Sequence, residues 1–323
     1  MVLGSDVTEL RVTAFDRVLR VALAEGGVAF VAIHRLIAGR AFGGIRLRRY
    51  ASETEALADA LALARAMSRK AAMAGIAGGG AKTVIMLPLA DRGAALRRVG
   101  DLIERLAGQV WCGGDLGFTA ADQAVLESAT RYVACGNLAA ATARSVEICM
   151  RALWPPTSVA IQGVGAVGLP LARSLGDAGV RVWVHDLDPR RTGDFEAVSS
   201  QEIYGRACDV FAPCGAGGVI DHAAAHRLRC RLVCGGANNP LTGVDVADLL
   251  HGRGILYVPD FIANSGATIV GASRALGEVD AIEARMAALP GLVTHVMEQA
   301  RHRDCSPHDV AVEMADARLR AAR

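Results

Sequence analysis

The sequence predicts an α/β protein of two domains, the second of them a doubly wound parallel sheet. Three observations carry this. The chain has 323 residues, about twice an ordinary domain, so each half is long enough to bury its own core. Hydrophobic residues reach 52% and charged residues 21%, the balance of a folded globular chain. From about Ser158, short apolar runs alternate with helical segments: Val159–Gln162, Val180–His185, Val210–Ala212, Arg231–Cys234 and Ile255–Val258. Five such strands at this spacing are the pattern of a parallel sheet covered by helices.

Charge and cysteine usage narrow the function classes. Lys plus Arg number 35 against 33 Asp plus Glu, a net charge of +2, which gives nucleic acid no electrostatic reason to bind. No run approaches the roughly 18 apolar residues of a membrane span. The start, Met1-Val-Leu-Gly-Ser-Asp, lacks a basic segment followed by an apolar stretch, so no secretory signal is expected. The eight cysteines, Cys112, Cys135, Cys149, Cys208, Cys214, Cys230, Cys234 and Cys305, form no C-x-x-C. They read as reduced structural thiols and a cytoplasmic location follows. His222 and His226 share an i,i+4 spacing but have no third ligand nearby in sequence. A solvated helix face is expected there, and no metal site.

In the first half, Val28–His34 reads as a strand and Thr54 to about Ala72 as a long helix, with Leu57, Leu61, Ala64 and Met67 on one stripe. Gly75 and Gly78-Gly79-Gly80 stop the helix, Thr83–Leu87 is a buried strand, and Pro88 closes it. A helix from about Ala94 to Leu106 leads to the strand Gln109–Cys112, and Thr119-Ala-Ala-Asp122 has the form of a capping box opening the next helix. Trp154-Pro155-Pro156 is a stiff break, but the border is placed one helix earlier, near Gly136. Residues 1–135 then form the first domain and 136–279 the second. Helices near Asp280–Arg303 and Pro307–Arg320, within residues 280–323, are expected to pack back on the first.

The second domain opens with a phosphate-binding pattern. Strand Val159–Gln162 runs into Gly163-Val164-Gly165-Ala166-Val167-Gly168 and then a helix. The first glycine permits the tight turn, the second lets backbone approach a pyrophosphate, and the third lets helix pack on strand. The anion would sit at the helix N-terminus. Asp186 ends the next strand about twenty residues on, where an acid bonds a ribose 2′-hydroxyl. A Rossmann domain binding NAD is expected, in preference to NADP, whose 2′-phosphate Asp186 would repel. Arg190 and Arg191 keep NADP open.

The first domain carries the candidate chemistry. Lys70 ends the long helix and Lys82 follows three glycines before a buried strand. Two ammonium groups converging on one pocket would depress each other's pKa, and burial acts the same way; one lysine then serves as a base while its neighbour holds a carboxylate. Structural lysines are the alternative. Asp115 lies in Trp111-Cys-Gly-Gly-Asp-Leu-Gly, whose glycines admit a ligand; a plain turn aspartate is the alternative. Asn238 in Gly235–Pro240 and Asn264 in Pro259–Gly266 stand beside the second sheet or serve as caps.

Together these segments resemble the family of glutamate, leucine, phenylalanine and valine dehydrogenases, in family order from Gly39 to about Gly271. Phe42-Gly-Gly-Ile-Arg46 resembles the substrate loop, and Met67-Ser-Arg-Lys70 with Gly79-Gly80-Ala-Lys82 the paired-lysine motif. Gly114-Asp115 resembles the catalytic-aspartate segment; Ala212–Ala216, Gly236–Asn239 and Pro259–Asn264 match three further signatures. The resemblance implies a substrate domain and an NAD-binding domain with a cleft between them. It implies that Lys70 binds the substrate carboxylate with the Gly43 and Gly44 backbone, that Lys82 activates water, and that Asp115 shuttles protons to and from the nitrogen. Asn238 and Asn264 would orient nicotinamide and substrate, with Thr142, Cys214, Gly215 and Ala237 on the cofactor. The reaction implied is reversible oxidative deamination of an amino acid to the 2-oxo acid and ammonia, in a homodimer or larger homo-oligomer.

Side-chain selectivity follows from the same resemblance. Phe42 stands where glutamate dehydrogenases place a lysine, and Gly271 where they place a serine, so glutamate's second carboxylate would be buried unpaired. Leucine dehydrogenases carry aliphatic residues at the positions of Thr268 and Gly271 and alanine at Gly113. The glycines imply a wider pocket, and Phe42 a ring to stack on, which together favour phenylalanine or tryptophan over a branched aliphatic substrate. A leucine- or valine-type enzyme, one with a specialised biosynthetic substrate, and a catalytically silent nucleotide-binding protein are the alternatives. The chain departs from the family near the hinge, where Asn137–Thr142 is shortened and Arg144-Ser145-Val146 replaces the usual Gly-Val.

Overall fold

The computed structural model describes Gly4, residues 6–134 and residues 136–322. Met1–Leu3, Ser5, Cys135 and Arg323 lie outside them, and with them the expectations for the extreme N-terminus and the Cys135 thiol. The chain divides into two compact units: Met1–Gly136 with Gly271–Val279 and Ala317–Arg323, and Asn137–Val270 with Asp280–Asp316.

The first unit contains strands β1 (Val7–Glu9), β2 (Arg17–Ala22), β3 (Val28–Ile33), β4 (Ala41–Phe42) and β5 (Ile45–Arg49), helix α1 (Glu53–Met73), strand β6 (Gly79–Leu87), helix α2 (Arg92–Arg105), strand β7 (Val110–Trp111) and helix α3 (Ala120–Ala129). Its sheet runs β1-β2-β3-β6-β4-β7, and β5 also pairs with β6. Strands β1 to β3 are antiparallel; β4 and β5 lie parallel to β6 on its other edge. Alternation along β6 sends Ala81 and Ile85 into a core with α2, and Val84 into a second core with Ala56, Ala60 and Ala64 of α1. Lys82 shares the α1 side with Val84 by the same alternation.

The buried face of α1 differs from the expected stripe. Ala56, Ala60, Ala64, Ser68 and Ala71 are buried, while Leu57, Leu61 and Met67 are only half-buried. The reason is the closeness of helix to strand. A Cβ on Gly80 would stand 2.1 Å from Ser68 N and 2.4 Å from Ala64 O, so only small residues fit between the two backbones. Ser52 caps the helix by accepting from Glu55 N–H at 3.2 Å. Thr119 and Asp122 form the reciprocal capping box of α3.

The second unit contains α4 (Leu138–Leu153), β8 (Ser158–Gln162), α5 (Gly168–Asp177), β9 (Arg181–His185), β10 (Glu196–Ala197), α6 (Glu202–Gly205), β11 (Val210–Pro213), α7 (His222–Arg227), β12 (Leu232–Val233), α8 (Val244–Gly252), β13 (Leu256–Tyr257) and α9 (Asp260–Ala263). Helix α10 (Gly266–Ala275) passes from this unit to the first at Gly271, and α11 (Ala281–Arg303) and α12 (Pro307–Ala321) follow. The sheet is parallel throughout, in the order β10-β9-β8-β11-β12-β13. The order reverses at β8, which has β9 on one side and β11 on the other, so the carboxyl ends of β8 and β11 open the crevice in which such sheets hold ligands. It has six strands where five were expected. Strand β10 is two exposed residues, too short and too polar for a periodic signal.

The expectation that helices 280–323 rejoin the first domain holds only for the last residues. Helix α11 packs along α4 with Met286, Leu289, Val293, Val296 and Ala300 buried, and only Ala317–Arg323 groups with the first unit. Those buried residues recur at three- and four-residue spacing, the stripe by which a helix packs on a neighbour. No described helix is long and apolar enough to cross a membrane.

Candidate active site

In the first unit, Lys82 is 5% exposed, and its Nζ stands 3.0 Å from Asp115 Oδ2. Local backbone pairing makes the meeting. Ile45 N–H donates to Gly113 O at 2.8 Å and Asp115 N–H to Ile45 O at 3.1 Å, which lays the Gly113–Asp115 turn along the start of β5. Gly44 leaves the room: a Cβ there would lie 3.2 Å from Lys82 Nζ and 3.1 Å from Asp115 Cβ. A Cβ on Gly113 would meet only Ala134 Cβ, at 3.7 Å, so space is open beside it.

A third group converges on the same carboxylate oxygen. Arg46 Nε donates to Asp115 Oδ2 at 2.8 Å, and Arg46 Nη1 reaches Asp59 Oδ2 at 3.1 Å. Tyr50 Oη donates to Asp59 Oδ2 at 2.5 Å. Burial lowers the Lys82 pKa and Arg46 lowers it further, while Asp115 pulls it back up. Burial alone would raise the Asp115 carboxyl, but Lys82 and Arg46 outweigh it and hold it at about 2. Arg46 is thus a cation that acts with burial on Lys82. Asp59 and Tyr50 escaped the sequence reading, and Arg46 was named there only as the end of the Phe42–Arg46 segment, with no role of its own. Asp59 interrupts the alanines of α1, but nothing in the sequence says what it faces.

Lys70 sits in the last turn of α1, 8% exposed. Its neighbour Ser68 ties helix to strand: Ser68 Oγ accepts from Gly80 N–H at 2.8 Å and lies 2.8 Å from His34 Nδ1. Burial, with Arg35 and Arg65, lowers His34 to about 4, so the imidazole is neutral near pH 7. Two expectations need correction. The Gly43 N–H donates to Trp111 O at 3.0 Å, so it is spent in the sheet and cannot hold a carboxylate. The Phe42 ring lies over Gly78, where a Cβ would come within 2.3 Å of it; it is 5% exposed, packed as core and not held out to stack.

In the second unit the glycine turn has the form its sequence predicts. Gly163 takes φ +93°, and a Cβ on Gly168 would fall 1.9 Å from Gly163 O. A Cβ on Gly165 would meet nothing nearer than Arg191 Nη1 at 3.9 Å, so the space a pyrophosphate needs is open. Asp186 Oδ2 accepts from Val164 N–H and Oδ1 from Asp188 N–H, each at 2.9 Å, which fixes the carboxylate beside the turn. Arg190 is bound to Asp188. Ala166 is exposed at the turn, and Val167 leads into α5 without a side-chain cap.

Around β11 and β12, Cys214 N–H donates to Gln162 O at 2.7 Å and Ala237 N–H to Pro213 O at 2.9 Å. Burial raises the Cys214 thiol to about 11, and Gly215 sits against the Gln162 amide. Asn264, 3% exposed, donates to Ala237 O at 3.2 Å and Asn238 Oδ1 at 3.0 Å. Its own Oδ1 is buried without a partner, an acceptor waiting for a donor such as a carboxamide N–H. Thr142 donates its hydroxyl to Leu138 O at 3.0 Å, and that proton is not offered to a nicotinamide. Thr268 and Gly271 are buried on α10.

Ser145 gives the unusual Arg144-Ser145 pair a reason. Its Oγ accepts from Gly266 N–H at 3.0 Å and lies 2.7 Å from Ala263 O, which locks α4 to the segment bearing Asn264. The seven described cysteines are free, and no described cluster of three or more His, Cys, Asp or Glu could hold a metal. The open glycine turn, the fixed Asp186 and the unpaired Asn264 Oδ1 all fit a nicotinamide dinucleotide.

Comparison with known proteins agrees with this arrangement. Residues 16–134 match the Glu/Leu/Phe/Val dehydrogenase dimerisation domain, and residues 183–320 match the Glutamate/Leucine/Phenylalanine/Valine dehydrogenase model. The leucine dehydrogenase of Geobacillus stearothermophilus is 37% identical over 79% of this chain and 77% of its own. The phenylalanine dehydrogenase of Caldalkalibacillus thermarum is 33% identical over 90% and 87%. The crystal structure of L-tryptophan dehydrogenase from Nostoc punctiforme superposes with a TM-score of 0.80 at 28% identity, covering 96% of this chain and 97% of that one. The chain belongs to the glutamate/leucine/phenylalanine/valine dehydrogenase family, oxidoreductases that act on the CH–NH2 group of amino acids.

Proposed function

We propose that this amino-acid dehydrogenase uses NAD and prefers an aromatic L-amino acid, phenylalanine or tryptophan, giving the 2-oxo acid, ammonia, NADH and a proton. The observation that carries the reading is the dry Lys82–Asp115 contact of 3.0 Å, a base and a proton carrier held together. In this reading residues 1–135 hold the substrate and residues 136–279 the cofactor. The bound dinucleotide supplies the hydride acceptor. Gly163–Gly168 would cradle its pyrophosphate, with Cys214, Gly215 and Ala237 beside the crevice, and Asp186 would bond its ribose and repel a 2′-phosphate. Asn238 and Asn264 would orient its carboxamide.

Lys70, with the Gly44 N–H, holds the substrate carboxylate. Lys82, its pKa lowered by burial, takes a proton from the water that attacks the imino carbon. Asp115 accepts a proton from the substrate nitrogen and later returns one, so that ammonia leaves. Lys82 and Arg46 hold its carboxyl at about 2, so it is ionised before substrate arrives. Gly113 borders the side chain, and the open space there supports a large one. A branched-chain substrate is the second reading, favoured by the 37% identity to a leucine dehydrogenase and by the burial of Phe42. A cytoplasmic location fits the free thiols, and a homodimer or larger assembly through the first domain fits its match to a dimerisation domain.

The deciding experiment compares kcat/KM for phenylalanine, tryptophan, leucine and glutamate at alkaline pH, with NAD and NADP in parallel. An aromatic substrate with NAD should lead. A leading value for leucine would overturn the aromatic preference, and equal rates with NADP would overturn the role given to Asp186.

A further inference from the structure

We propose that Arg46 is a positioning residue of the reaction: its guanidinium, anchored on Asp59, fixes the Asp115 carboxylate against Lys82. The proposal rests on the catalytic reading of Lys82 and Asp115. Four side chains, from β5 and the residue after it, α1 and the turn after β7, form one chain of contacts, Tyr50–Asp59–Arg46–Asp115, and it ends on Lys82. Arg46 Nε and Lys82 Nζ both meet Asp115 Oδ2, at 2.8 and 3.0 Å. Arg46 Nη1 spans to Asp59 Oδ1 and Oδ2 at 3.4 and 3.1 Å. A planar guanidinium can serve two carboxylates at once in fixed directions; an ammonium cannot.

The charges around Lys82 make the consequence definite. Asp115 faces it from the turn after β7, Arg46 from β5, and Asp59 and Lys70 belong to α1, while Tyr50 donates to Asp59. His34, at the end of β3, is neutral. Lys82 therefore sees one contacting anion, and Arg46 offsets that anion's hold on its proton. Without Arg46, Asp115 would bind the Lys82 proton more firmly, and its carboxylate would lose the contact that fixes its direction. Arg46 thus serves both functions, fixing the carboxylate and keeping Lys82 a usable base.

The test compares Arg46→Gln, Arg46→Lys and Asp59→Asn with the wild type. Two profiles are read: kcat/KM against pH with the best amino acid, and the rate of reductive methylation of Lys82 against pH by peptide mass spectrometry, with no cofactor present. Arg46→Gln should lower kcat at least tenfold and move the acid limb, and the methylation profile, upward by about one pH unit. Arg46→Lys keeps the charge but loses the span, so it should lower kcat while leaving both profiles within about 0.3 units of wild type. Asp59→Asn removes an anion and the anchor, so kcat should fall with no upward shift. Unchanged profiles in Arg46→Gln, or equal shifts in Arg46→Gln and Arg46→Lys, would overturn the proposal. A wild type without amino-acid-dependent NADH formation would strike the proposed function instead, and the methylation profiles would still judge Arg46.

Discussion

Lys82 and Asp115 meet at 3.0 Å with side chains 6% and 18% exposed, so each ion has the other in place of water. Removing Asp115 would leave the Lys82 ammonium without a contacting anion, whereas Asp115 has a second cation in Arg46. In Lys82→Ala, Asp115 keeps Arg46 as its counter-ion, so the fold should survive, but the proposed base is gone. Turnover should fall on the order of 10³-fold or more, while affinity for NAD, whose proposed binding residues lie in the second unit, should stay within about twofold. Steady-state rates and NADH fluorescence titration separate the two. Near-normal turnover would remove Lys82 from the mechanism.

Acid stability should be set partly at a distance from the chemistry. Asp122 closes the capping box of α3 and bonds both Thr119 and Arg92. The Arg92 bond, then the bonds from Thr119, hold its carboxyl at about 2 against the opposing effect of burial. A folded pKa below the unfolded value stabilises the protein above about pH 4, and the contribution is lost as pH falls through 2. Allowing for the exposure of Arg92, Asp122→Asn should cost about 1–2 kcal/mol at pH 7, and much less at pH 2.5. Urea unfolding at the two pH values measures it. An equal loss at both would mean that the cap acts through packing and not through charge.

The parts of this site that were legible in sequence are those where local chemistry is enough. Gly163–Gly168 and Asp186 are spaced by the geometry of one βαβ unit, and Thr119–Asp122 caps its own helix. Lys82 and Asp115 were visible as unusual residues among glycines. Arg46 was not, because its meaning comes from Asp59 and Asp115, 13 and 69 positions away. Similar limits explain the α1 stripe and α11. The helix turned toward its alanines because the Gly80 backbone comes so close, and α11 chose α4; neither choice is written in a local period. Phe42 shows the reverse error, where a resemblance suggested a pocket wall and Gly78 gave the ring a place in the core.

Adjacent glycines should behave differently on substitution. A Cβ on Gly43 would stand 1.9 Å from Ala81 O, against rigid strand backbone. Gly43→Ala should therefore push β4 off β6 and lower Tm by many degrees. At Gly44 the Cβ would meet Lys82 Nζ at 3.2 Å and Asp115 Cβ at 3.1 Å, contacts relieved by a few tenths of an ångström. Gly44→Ala should fold with nearly wild-type Tm yet lose about 10- to 100-fold in kcat, since small displacements of catalytic groups are costly. Calorimetry alongside steady-state kinetics tests the pair. A Gly44→Ala enzyme with full kcat would show that the amine tolerates displacement.

Gly113 offers the sharpest test of selectivity. An added methyl there would approach only Ala134 Cβ, at an ordinary contact distance of 3.7 Å, so the fold has no reason to object. Any effect of Gly113→Ala then reports on what occupies the space beside it. One methyl group in an apolar pocket changes discrimination by about 1–3 kcal/mol. The kcat/KM ratio of tryptophan or phenylalanine over leucine should accordingly fall by tenfold or more, with Tm unchanged. A ratio that does not move would mean that the side chain is bound elsewhere. Selectivity would then rest on α10, at Thr268 and Gly271, where the corresponding substitutions, Thr268→Val and Gly271→Ala, should shift the same ratio.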